Sequence, residues 1–505
     1  VFQRVVSAVP KYSPSAEAET AAHSAIRLTK IVATIGPATD NPAALLELRA
    51  AGINMARLNL SHNDPAWHMA TISLLRKILP DVPILADIPG RKIRTIQLDH
   101  EPTFKGGDII ILTTDLDHDG SEKIPVNYDK LHEYLKTGAV ILADDGTLRF
   151  EVVKIDGRDI HCRAQAAGQL KSRKGINVPY VQLGTRLLTD ADHEWIRFAR
   201  ENGVDYIGIS FVESAMHVEG IRALIGNSWP RIVAKIENQG GLDNMEEIIR
   251  ASDAIMIDRG DLSVETNLEN LAVMQKQIIE VARRDAKPVI VATEMLHTMI
   301  EAPFPTKAEV TDIANAVFDG CAATMLSGET AVGANPFEAV GVMRRVIESS
   351  ESHLLDRRNL DRQSLDSSIP EAVGAAIGMI CKTLPITKIV AVTIGGYSAQ
   401  MVSAQRTGLP IYAISTDEMA ARSFNLMSGT RGIHTKIEFS RTSTDHIVKC
   451  LKELWERGDL VDEDMVLVTS VGYPSAGNRM NLIETHLVSD LKNAMGWEAW
   501  STTAA

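Results

Sequence analysis

The residues best suited to chemistry lie in two short segments near the middle of the chain. Lys235 and Glu237 are two positions apart in a β-branched run, so their side chains point to the same face of a strand. Asp261 follows the next such run. Two carboxylates with open positions suit Mg²⁺, which prefers oxygen ligands and keeps sites for water or a phosphate oxygen. A Lys–Glu pair alone would be better explained as a structural ion pair, so the metal-site interpretation depends on Asp261.

Arginine side chains supply further positive charge. Arg57 lies in an earlier run, with Asn59 and Ser61 following at alternate positions, and Arg94 comes after the next run. Each Arg alone is equally well explained by a surface ion pair. Two guanidinium groups, the Lys235 ammonium and a divalent cation would together surround a phosphoryl group, whose transfer is catalysed mainly by positioning and electrostatics. The set therefore predicts phosphoryl transfer.

A third group of residues suggests the substrate. Gly260 and Asp261 precede a helix-like segment, so we expect their backbone N–H groups to bind a substrate carboxylate, with the Thr293 hydroxyl as a further donor. A site with separate places for a carboxylate, a phosphate and a metal ion suits phosphoenolpyruvate as the substrate.

The elements that position these residues are eight short apolar runs, each followed by a helical pattern. Runs that are apolar throughout fit strands buried on both faces, in a parallel sheet covered by helices. Polar residues such as Asp87, Ser210, Ser327 and Glu329 appear at or just after the far ends of the runs, where barrel enzymes carry their catalytic groups. We therefore predict a (β/α)₈ TIM barrel of the α/β class, with strands at 29–35, 53–58, 83–87, 206–212, 231–237, 254–258, 288–293 and 323–326.

The remaining segments predict further domains. Residues 96–180 contain several Gly- and Asp-punctuated β segments, too many for a loop, and indicate an inserted β-barrel lid domain. It divides the barrel into 28–95 and 181–349. Residues 350–505 alternate helix and strand, which favours a C-terminal open α/β domain, and residues 1–27 form an N-terminal arm.

Composition excludes several classes of partner. The 505 residues include 52 Lys and Arg against 65 Asp and Glu, a net charge of −13 that repels nucleic acid and anionic membrane. No apolar run approaches the roughly 20 residues of a membrane span. The four cysteines are scattered singly, as in a reducing compartment. We expect a cytoplasmic protein, and import into an organelle by a removed N-terminal segment stays an open alternative.

From about residue 29 to its end, the chain resembles the pyruvate kinases. The resemblance is most specific at IVAKIENQ (232–239), and it is supported in family order by ARLNLSH (56–62), RGDL (259–262), ATEML (292–296) and MLSGETA (325–331). It implies transfer of the phosphoryl group of phosphoenolpyruvate to ADP, which yields pyruvate and ATP in the final step of glycolysis.

The resemblance also implies roles for individual residues. Arg57 and Arg94 would hold the phosphoryl group, Lys235 would stabilise it in transfer, and Glu237 and Asp261 would ligate Mg²⁺ or Mn²⁺. Substrate contacts would come from Arg57, Lys235, Ser210, Gly260, Asp261 and Thr293. Proton delivery would involve Thr293, Ser327 and Glu329.

The nucleotide side is implied by further matches. They are Thr34 and Pro37 in TIGP (34–37), Asn59, His62, Arg94, Lys174 in KGINVP (174–179), and Asp145 in the lid. Trp67 stands where many members have a Tyr near the adenine, and it would keep the stacking face.

One departure from the family bears on monovalent ions. Potassium-dependent members typically read DTKGPEIR where this chain reads DIPGRKIR (87–94), so Lys92 occupies the Glu position. Its ammonium would replace K⁺ in a vestigial pocket that retains Asn59, Ser61 and Asp87, and we predict activity without K⁺. The alternative is that Lys92 points to solvent.

A second departure bears on regulation. The segment TIGGYS (393–398) follows a strand and opens a helix, and in the family this loop accepts an allosteric sugar phosphate. Thr393, Gly395 and Ser398 are the candidate residues, but an ordinary N-capped helix explains them equally well. Because VGYPS (471–475) lacks the Trp and Arg of fructose-bisphosphate-activated members, we predict another phosphorylated effector or none. The resemblance implies a homotetramer.

Two other functions stay open on the sequence. A non-catalytic relative would lack turnover with ADP and phosphoenolpyruvate. A lyase-type barrel enzyme would form a pyruvate enolate without ADP.

Overall fold

The computed structural model begins with the first three strands of a barrel and the two helices between them. It describes residues 26–90, 93–144, 146–179, 188–226, 229–266, 268–355, 369–440, 443–471 and 480–497. The first helix begins after Asn41, whose side chain accepts the N–H of Ala44, and ends at Gly52 in the left-handed conformation. The elements are β1 (Lys30–Thr34), α1 (Pro42–Ala51), β2 (Met55–Asn59), α2 (Pro65–Ile78) and β3 (Ile84–Ile88).

An inserted β domain follows β3. Its strands form a six-stranded sheet, in the order β11-β7-β8-β9-β5-β6, and a two-stranded sheet of β4 and β10. Phe150, Leu112 and Ile141 lie in its own buried core. Its elements are β4 (Thr103–Phe104), β5 (Ile109–Thr113), β6 (Ile124–Pro125), α3 (Leu131–Tyr134), β7 (Val140–Ala143), β8 (Leu148–Asp156), β9 (Asp159–Ala164), β10 (Gly168–Gln169) and β11 (Ile176–Asn177).

Five more strands complete the barrel. Around it the strands run β1, β2, β3, β12, β13, β14, β15, β16 and back to β1, all parallel, so the predicted eight-stranded barrel is confirmed. The elements are α4 (Asp190–Glu201), β12 (Tyr206–Ile209), α5 (Ala215–Ile225), β13 (Arg231–Ile236), α6 (Gln239–Asp243), α7 (Met245–Ala251), β14 (Ala254–Asp258), α8 (Arg259–Glu265), α9 (Leu271–Arg284), β15 (Val289–Ala292), α10 (Lys307–Asp319), β16 (Ala323–Leu326), α11 (Gly328–Ala331) and α12 (Pro336–Leu355).

The C-terminal part is the predicted open α/β sheet. Its strands lie in the order β19-β18-β17-β20-β21, with only β21 antiparallel to its neighbour. A one-turn 3₁₀ helix, Phe424–Leu426, follows the third helix. The elements are α13 (Ile369–Thr383), β17 (Lys388–Val392), α14 (Tyr397–Ala404), β18 (Ile411–Ser415), α15 (Glu418–Ser423), β19 (Thr430–His434), α16 (Asp445–Glu456), β20 (Met465–Ser470), β21 (Leu482–Leu487) and α17 (Val488–Met495).

The interior of the barrel is closed from below by the C-terminal domain. Inward-facing side chains such as Val233, Met256 and Met325 fill the lumen, and Leu426 of the 3₁₀ helix is buried in the same cluster. The hydroxyl of Tyr206, at the start of β12, donates to the carbonyl of Ser423 at 2.7 Å. The barrel floor is thus built partly from residues of the other domain.

Within the described ranges, no helix has both the length and the apolar character needed to cross a membrane.

Candidate active site

The ammonium of Lys235 is the centre of a buried charged cluster at the carboxyl ends of the barrel strands. Its Nζ lies 3.0 Å from Glu237, 3.1 Å from Asp258 and 3.9 Å from Asp87. It also donates to the Ser210 hydroxyl at 3.0 Å, which in turn donates to the backbone of β3. Burial disfavours the charged ammonium, but the surrounding carboxylates, Asp87 first, outweigh it and hold the pKa of Lys235 well above its usual value.

Arg57 enters the same cluster from β2. Two of its nitrogens donate to one oxygen of Asp87, at 2.9 and 2.6 Å, and a third donates to the Thr34 hydroxyl at 3.1 Å. The guanidinium is almost fully buried. Because Asp87 lies between Arg57 and Lys235, the two cations are held side by side facing the barrel mouth.

The carboxylate of Glu237 is fully buried just beyond β13. One oxygen accepts the backbone N–H of Phe211 at 2.7 Å, and the other pairs with Lys235. Phe211 has a positive φ of 54°, which turns the chain after Ser210 so that this N–H points at Glu237. Burial raises the pKa of Glu237 to about 8, because it outweighs the attraction of Lys235. A second cation nearby would favour its ionised form.

Three carboxylates form a group that fits a divalent cation. One oxygen each of Glu237, Asp258 and Asp261 lies within 4.8 Å of the others, and these are the hard oxygen donors that Mg²⁺ and Mn²⁺ prefer. Glu237 and Asp261 were predicted as ligands, whereas Asp258 was not given a role. The sequence did offer a signal for Asp258, because it is the last residue of a predicted strand, where barrel enzymes carry their polar catalytic groups.

The loop after β15 brings Thr293 next to this group. Its hydroxyl accepts the N–H of Gly260 at 2.8 Å and lies 3.2 Å from Asp258. Thr293 has a φ of 67°, a strained conformation for a β-branched residue, and Arg259 stabilises it by donating to its carbonyl at 2.8 Å. Helix α8 begins at Arg259, so Gly260 lies in its first turn and its N–H is already bonded to Thr293. The expectation that Gly260 and Asp261 precede the helix was wrong.

Glu329 and Ser327 follow β16. Glu329 is buried, and its two oxygens accept the backbone N–H groups of Leu296 at 3.1 Å and Ser327 at 2.7 Å. It therefore ties the loop after β15 to the loop after β16. The Ser327 hydroxyl is buried and has no hydrogen-bond partner among the described residues.

Arg94 and Lys174 lie in or beside the inserted domain rather than in the cluster. The guanidinium of Arg94 donates to the carbonyl of Arg173 at 3.2 Å, and it forms no ion pair with the described carboxylates of the cluster. Lys174 pairs with Asp144 at 2.6 Å. The expectation that both arginines meet Lys235 therefore holds for Arg57 only, because Arg94 is bonded to the lid.

The inserted domain nevertheless lies against helix α8, which carries Asp261. Asn177 of β11 donates to Glu265, the last residue of α8, at 2.6 Å. Two predicted residues, Lys92 and Asp145, lie outside the described residues.

The residues predicted for the nucleotide side are spread over β1, β2 and α2. Thr34 is buried and donates to the carbonyl of Leu326, whereas Pro37 and His62 are exposed. Trp67 is half-buried, and its indole N–H donates to Asp40 at 3.1 Å. Asn59 accepts the backbone N–H of Ser61 at 3.1 Å; Ser61 itself lies in an exposed turn after β2.

The candidate effector loop lies between β17 and α14. The Thr393 hydroxyl accepts the N–H of Gly396, and the carbonyl of Gly395 accepts a hydrogen bond from Arg231 at 2.6 Å. Ser398 is fully buried, and its hydroxyl has no partner among the described residues. Since Arg231 is the first residue of β13, this loop contacts the strand that carries Lys235.

Comparisons with known families cover most of the chain. Residues 26–340 match the family described as the pyruvate kinase barrel domain, and residues 371–486 match the pyruvate kinase alpha/beta domain.

Individual relatives agree with the family match. A pyruvate kinase of Sporosarcina psychrophila is 38% identical over 92% of this chain and 81% of its own length. One of Clostridium perfringens is 35% identical over 90% of this chain and 99% of its own length. The crystal structure of a pyruvate kinase from Cryptosporidium parvum superposes with a TM-score of 0.83 at 30% identity, covering 92% of this chain and 97% of that one.

Proposed function

The chain belongs to the pyruvate kinase family, whose members are phosphotransferases, and from this premise we propose that it transfers the phosphoryl group of phosphoenolpyruvate to ADP. The observation that carries the proposal is the buried cluster in which Lys235 and Arg57 lie side by side across Asp87, next to three carboxylates. Two fixed cations beside a metal site match the charge distribution of a phosphoryl group in transfer.

In this proposal the chain's own residues hold and neutralise the phosphoryl group. Arg57 binds its oxygens, and Lys235, kept charged by its carboxylate neighbours, stabilises the negative charge that develops as the group leaves the enol oxygen. Arg94 joins them from the lid side. Ser210 and Asp87 orient Lys235, while Asp261 and Thr293 bind the remainder of the substrate.

Glu237 and Asp261 would hold Mg²⁺ or Mn²⁺. When bound, the cation would supply positive charge that polarises the phosphoryl group.

Proton transfer completes the reaction. After the phosphoryl group leaves, the enolate carbon accepts a proton to give pyruvate, and we assign its delivery to the network of Thr293, Ser327 and Glu329. The unpartnered hydroxyl of Ser327 leaves that group available for such a network.

The nucleotide is proposed to lie between the barrel and the lid. Lys174, Asp145 and Arg94 would approach it from the lid side, and Thr34, Pro37, Asn59, His62 and Trp67 would line the barrel side. Lys174 and Arg94 both lie on the lid side of the cleft, which supports this arrangement.

A coupled assay tests the function. The protein is incubated with phosphoenolpyruvate, ADP and Mg²⁺, and pyruvate is measured through its reduction by lactate dehydrogenase. We expect ADP-dependent pyruvate formation, and Lys235→Met should reduce kcat by roughly 100-fold or more, as for loss of a group that stabilises transition-state charge. Lys276→Met, which changes an exposed barrel lysine, is the matched control. Pyruvate release without ADP would indicate a lyase, and absence of turnover would indicate a non-catalytic relative.

We further propose that turnover does not require K⁺, because the Lys92 ammonium replaces the ion beside Asn59, Ser61 and Asp87. One oxygen of Asp87 is buried and has no hydrogen-bond partner among the described residues, so it is available to a cation. Equal kcat in K⁺ and in tetramethylammonium would support this. The proposal is contradicted if the unmodified protein loses turnover without K⁺ and the Lys92→Glu variant shows the same loss.

Two features of the C-terminal domain remain proposals. The loop with Thr393, Gly395 and Ser398 would bind either no effector or a phosphorylated one other than fructose 1,6-bisphosphate, and the chain would assemble as a homotetramer. Calorimetry with individual sugar phosphates tests the first, and tight binding of fructose 1,6-bisphosphate would refute it. Sedimentation equilibrium tests the second.

A further inference from the structure

Asp258 occupies a position in which an aspartate ordinarily caps a helix. It is the residue immediately before α8, and aspartate there usually accepts a backbone N–H of the first turn. Its side chain makes no such bond with α8. Instead it turns to the site, where one oxygen accepts the Thr293 hydroxyl at 3.2 Å and the other lies 3.1 Å from Lys235. Helix α8 therefore has no side-chain cap from Asp258, whose carboxylate contacts Thr293 and Lys235 instead.

Neutralising Lys235 does not by itself explain the placement of Asp258. Lys235 already has Glu237 at 3.0 Å and Asp87 at 3.9 Å, together with the Ser210 hydroxyl. A third buried carboxylate adds repulsion with the other two, because like charges in a poorly solvated site destabilise one another. A further cation would remove this repulsion.

The position of Asp258 suits direct ligation. One of its oxygens lies within 4.8 Å of oxygens of both Glu237 and Asp261. Ligands of one small octahedral cation lie roughly 3 to 4 Å apart, since each is about 2.1 Å from the ion. The three oxygens thus lie close to the separation that one shared cation requires.

We propose that Asp258 is a third carboxylate ligand of the divalent cation. The inference rests on the proposed function, since it concerns the metal site of that reaction. A site with three carboxylates attracts the cation without a substrate phosphate to complete its charge.

The test is Mn²⁺ binding in the absence of any substrate. Free Mn²⁺ is quantified by electron paramagnetic resonance while the full-length protein is titrated. We expect one saturable site per chain in the unmodified protein. Asp258→Asn and Asp258→Ala should each weaken Mn²⁺ binding at least tenfold. Glu294→Gln, which removes an exposed carboxylate at the end of the neighbouring strand, should change it less than twofold.

Two results would overturn the inference. One is the lack of a saturable site in the unmodified protein, which requires no variant. The other is unchanged Mn²⁺ affinity in either Asp258 variant whose circular dichroism and melting show a folded protein, since Asp258 would then be only a counter-ion of Lys235. The proposed function is judged separately, by ADP-dependent pyruvate formation. If turnover were absent but the affinity still fell, the function would fail and the ligand assignment would stand.

Discussion

The geometry of Arg57 makes a testable distinction between charge and shape. Its guanidinium contacts Asp87 through two nitrogens and Thr34 through a third. A lysine keeps the charge but presents a single ammonium that cannot make the three contacts together. We expect Arg57→Lys to lower kcat/KM for phosphoenolpyruvate about 10- to 100-fold, roughly 1.4 to 2.8 kcal/mol.

Steady-state kinetics with phosphoenolpyruvate varied at saturating ADP provides the measurement. Arg49→Lys, at an exposed ion pair of α1, is the control and should leave kcat/KM unchanged. Equal activity of Arg57→Lys would mean that only the charge matters.

At the scale of single residues, sequence reasoning succeeded where spacing decides direction. Lys235 and Glu237 share a face because a strand alternates its side chains, and they do meet. It failed where the backbone departs from regular structure. The positive φ of Phe211, which directs an N–H at Glu237, and the strained Thr293 leave no pattern in the residue types around them. The hydrogen bond of Arg94 to Arg173 depends on tertiary folding and was not predictable from the sequence.

At the scale of elements, the loops at the barrel mouth are joined by carboxylates. Glu329 accepts one N–H from the loop after β15 and one from the loop after β16. In Glu329→Gln one acceptor becomes an amide NH₂ that faces a backbone donor. We expect the free energy of unfolding to fall by about 1 to 3 kcal/mol, the cost of an unsatisfied buried donor, and kcat to fall as well.

Thermal melting and kcat should be measured together. Glu338→Gln, an exposed change in α12, is the control. If melting and kcat are both unaffected, Glu329 does not join the two loops.

The start of β1 carries a buried cation whose titration should be visible. The Lys30 ammonium donates to the carbonyl of Thr430 in the C-terminal domain at 2.8 Å, with Arg27 and Glu351 as its charged neighbours. Burial lowers the pKa of Lys30 to about 7, assisted by Arg27 and opposed by Glu351. Between pH 7 and about 10 the unfolded chain binds a proton that the folded chain does not.

Stability should therefore rise with pH from 7 upward, by about 1.4 kcal/mol per pH unit from this group. We expect melting temperatures of the unmodified protein to increase from pH 7 to pH 9 relative to those of Lys30→Met, which cannot titrate. Lys77→Met, on α2, controls for loss of one lysine. Parallel pH profiles for the Lys30 variant would show that the ammonium keeps its ordinary pKa.

The types and order of the elements were largely predictable, because continuous apolar runs and helical periods recur along the chain. Six of the eight barrel strands differ from the predicted ranges, because they are shorter at one or both ends or shifted along the chain. Strand β12, for example, ends at Ile209 rather than at residue 212. The positive φ at Phe211 explains that early end. The pairing of the lid strands could not be predicted, since it depends on contacts distant in sequence.

At the scale of the whole molecule, the barrel floor depends on a residue of another domain. Leu426 is fully buried in the lumen cluster with Tyr206 and Met325. Leu426→Ala leaves a cavity that the rigid strands cannot fill, so we expect a loss of about 2 to 5 kcal/mol in the free energy of unfolding.

Chemical denaturation followed by circular dichroism is the measurement. Leu384→Ala, an exposed change in the same domain, should cost far less. Equal effects of the two substitutions would show that the lumen does not depend on Leu426.

The Leu426 contact also limits how the chain can be divided or recombined. A barrel expressed without the C-terminal domain would expose the apolar base of its lumen to water, and we expect it to aggregate. A chimaera that takes its C-terminal half from a relative should succeed only if the donor supplies a side chain of similar volume at this point. The barrel and the C-terminal domain thus depend on one shared apolar cluster.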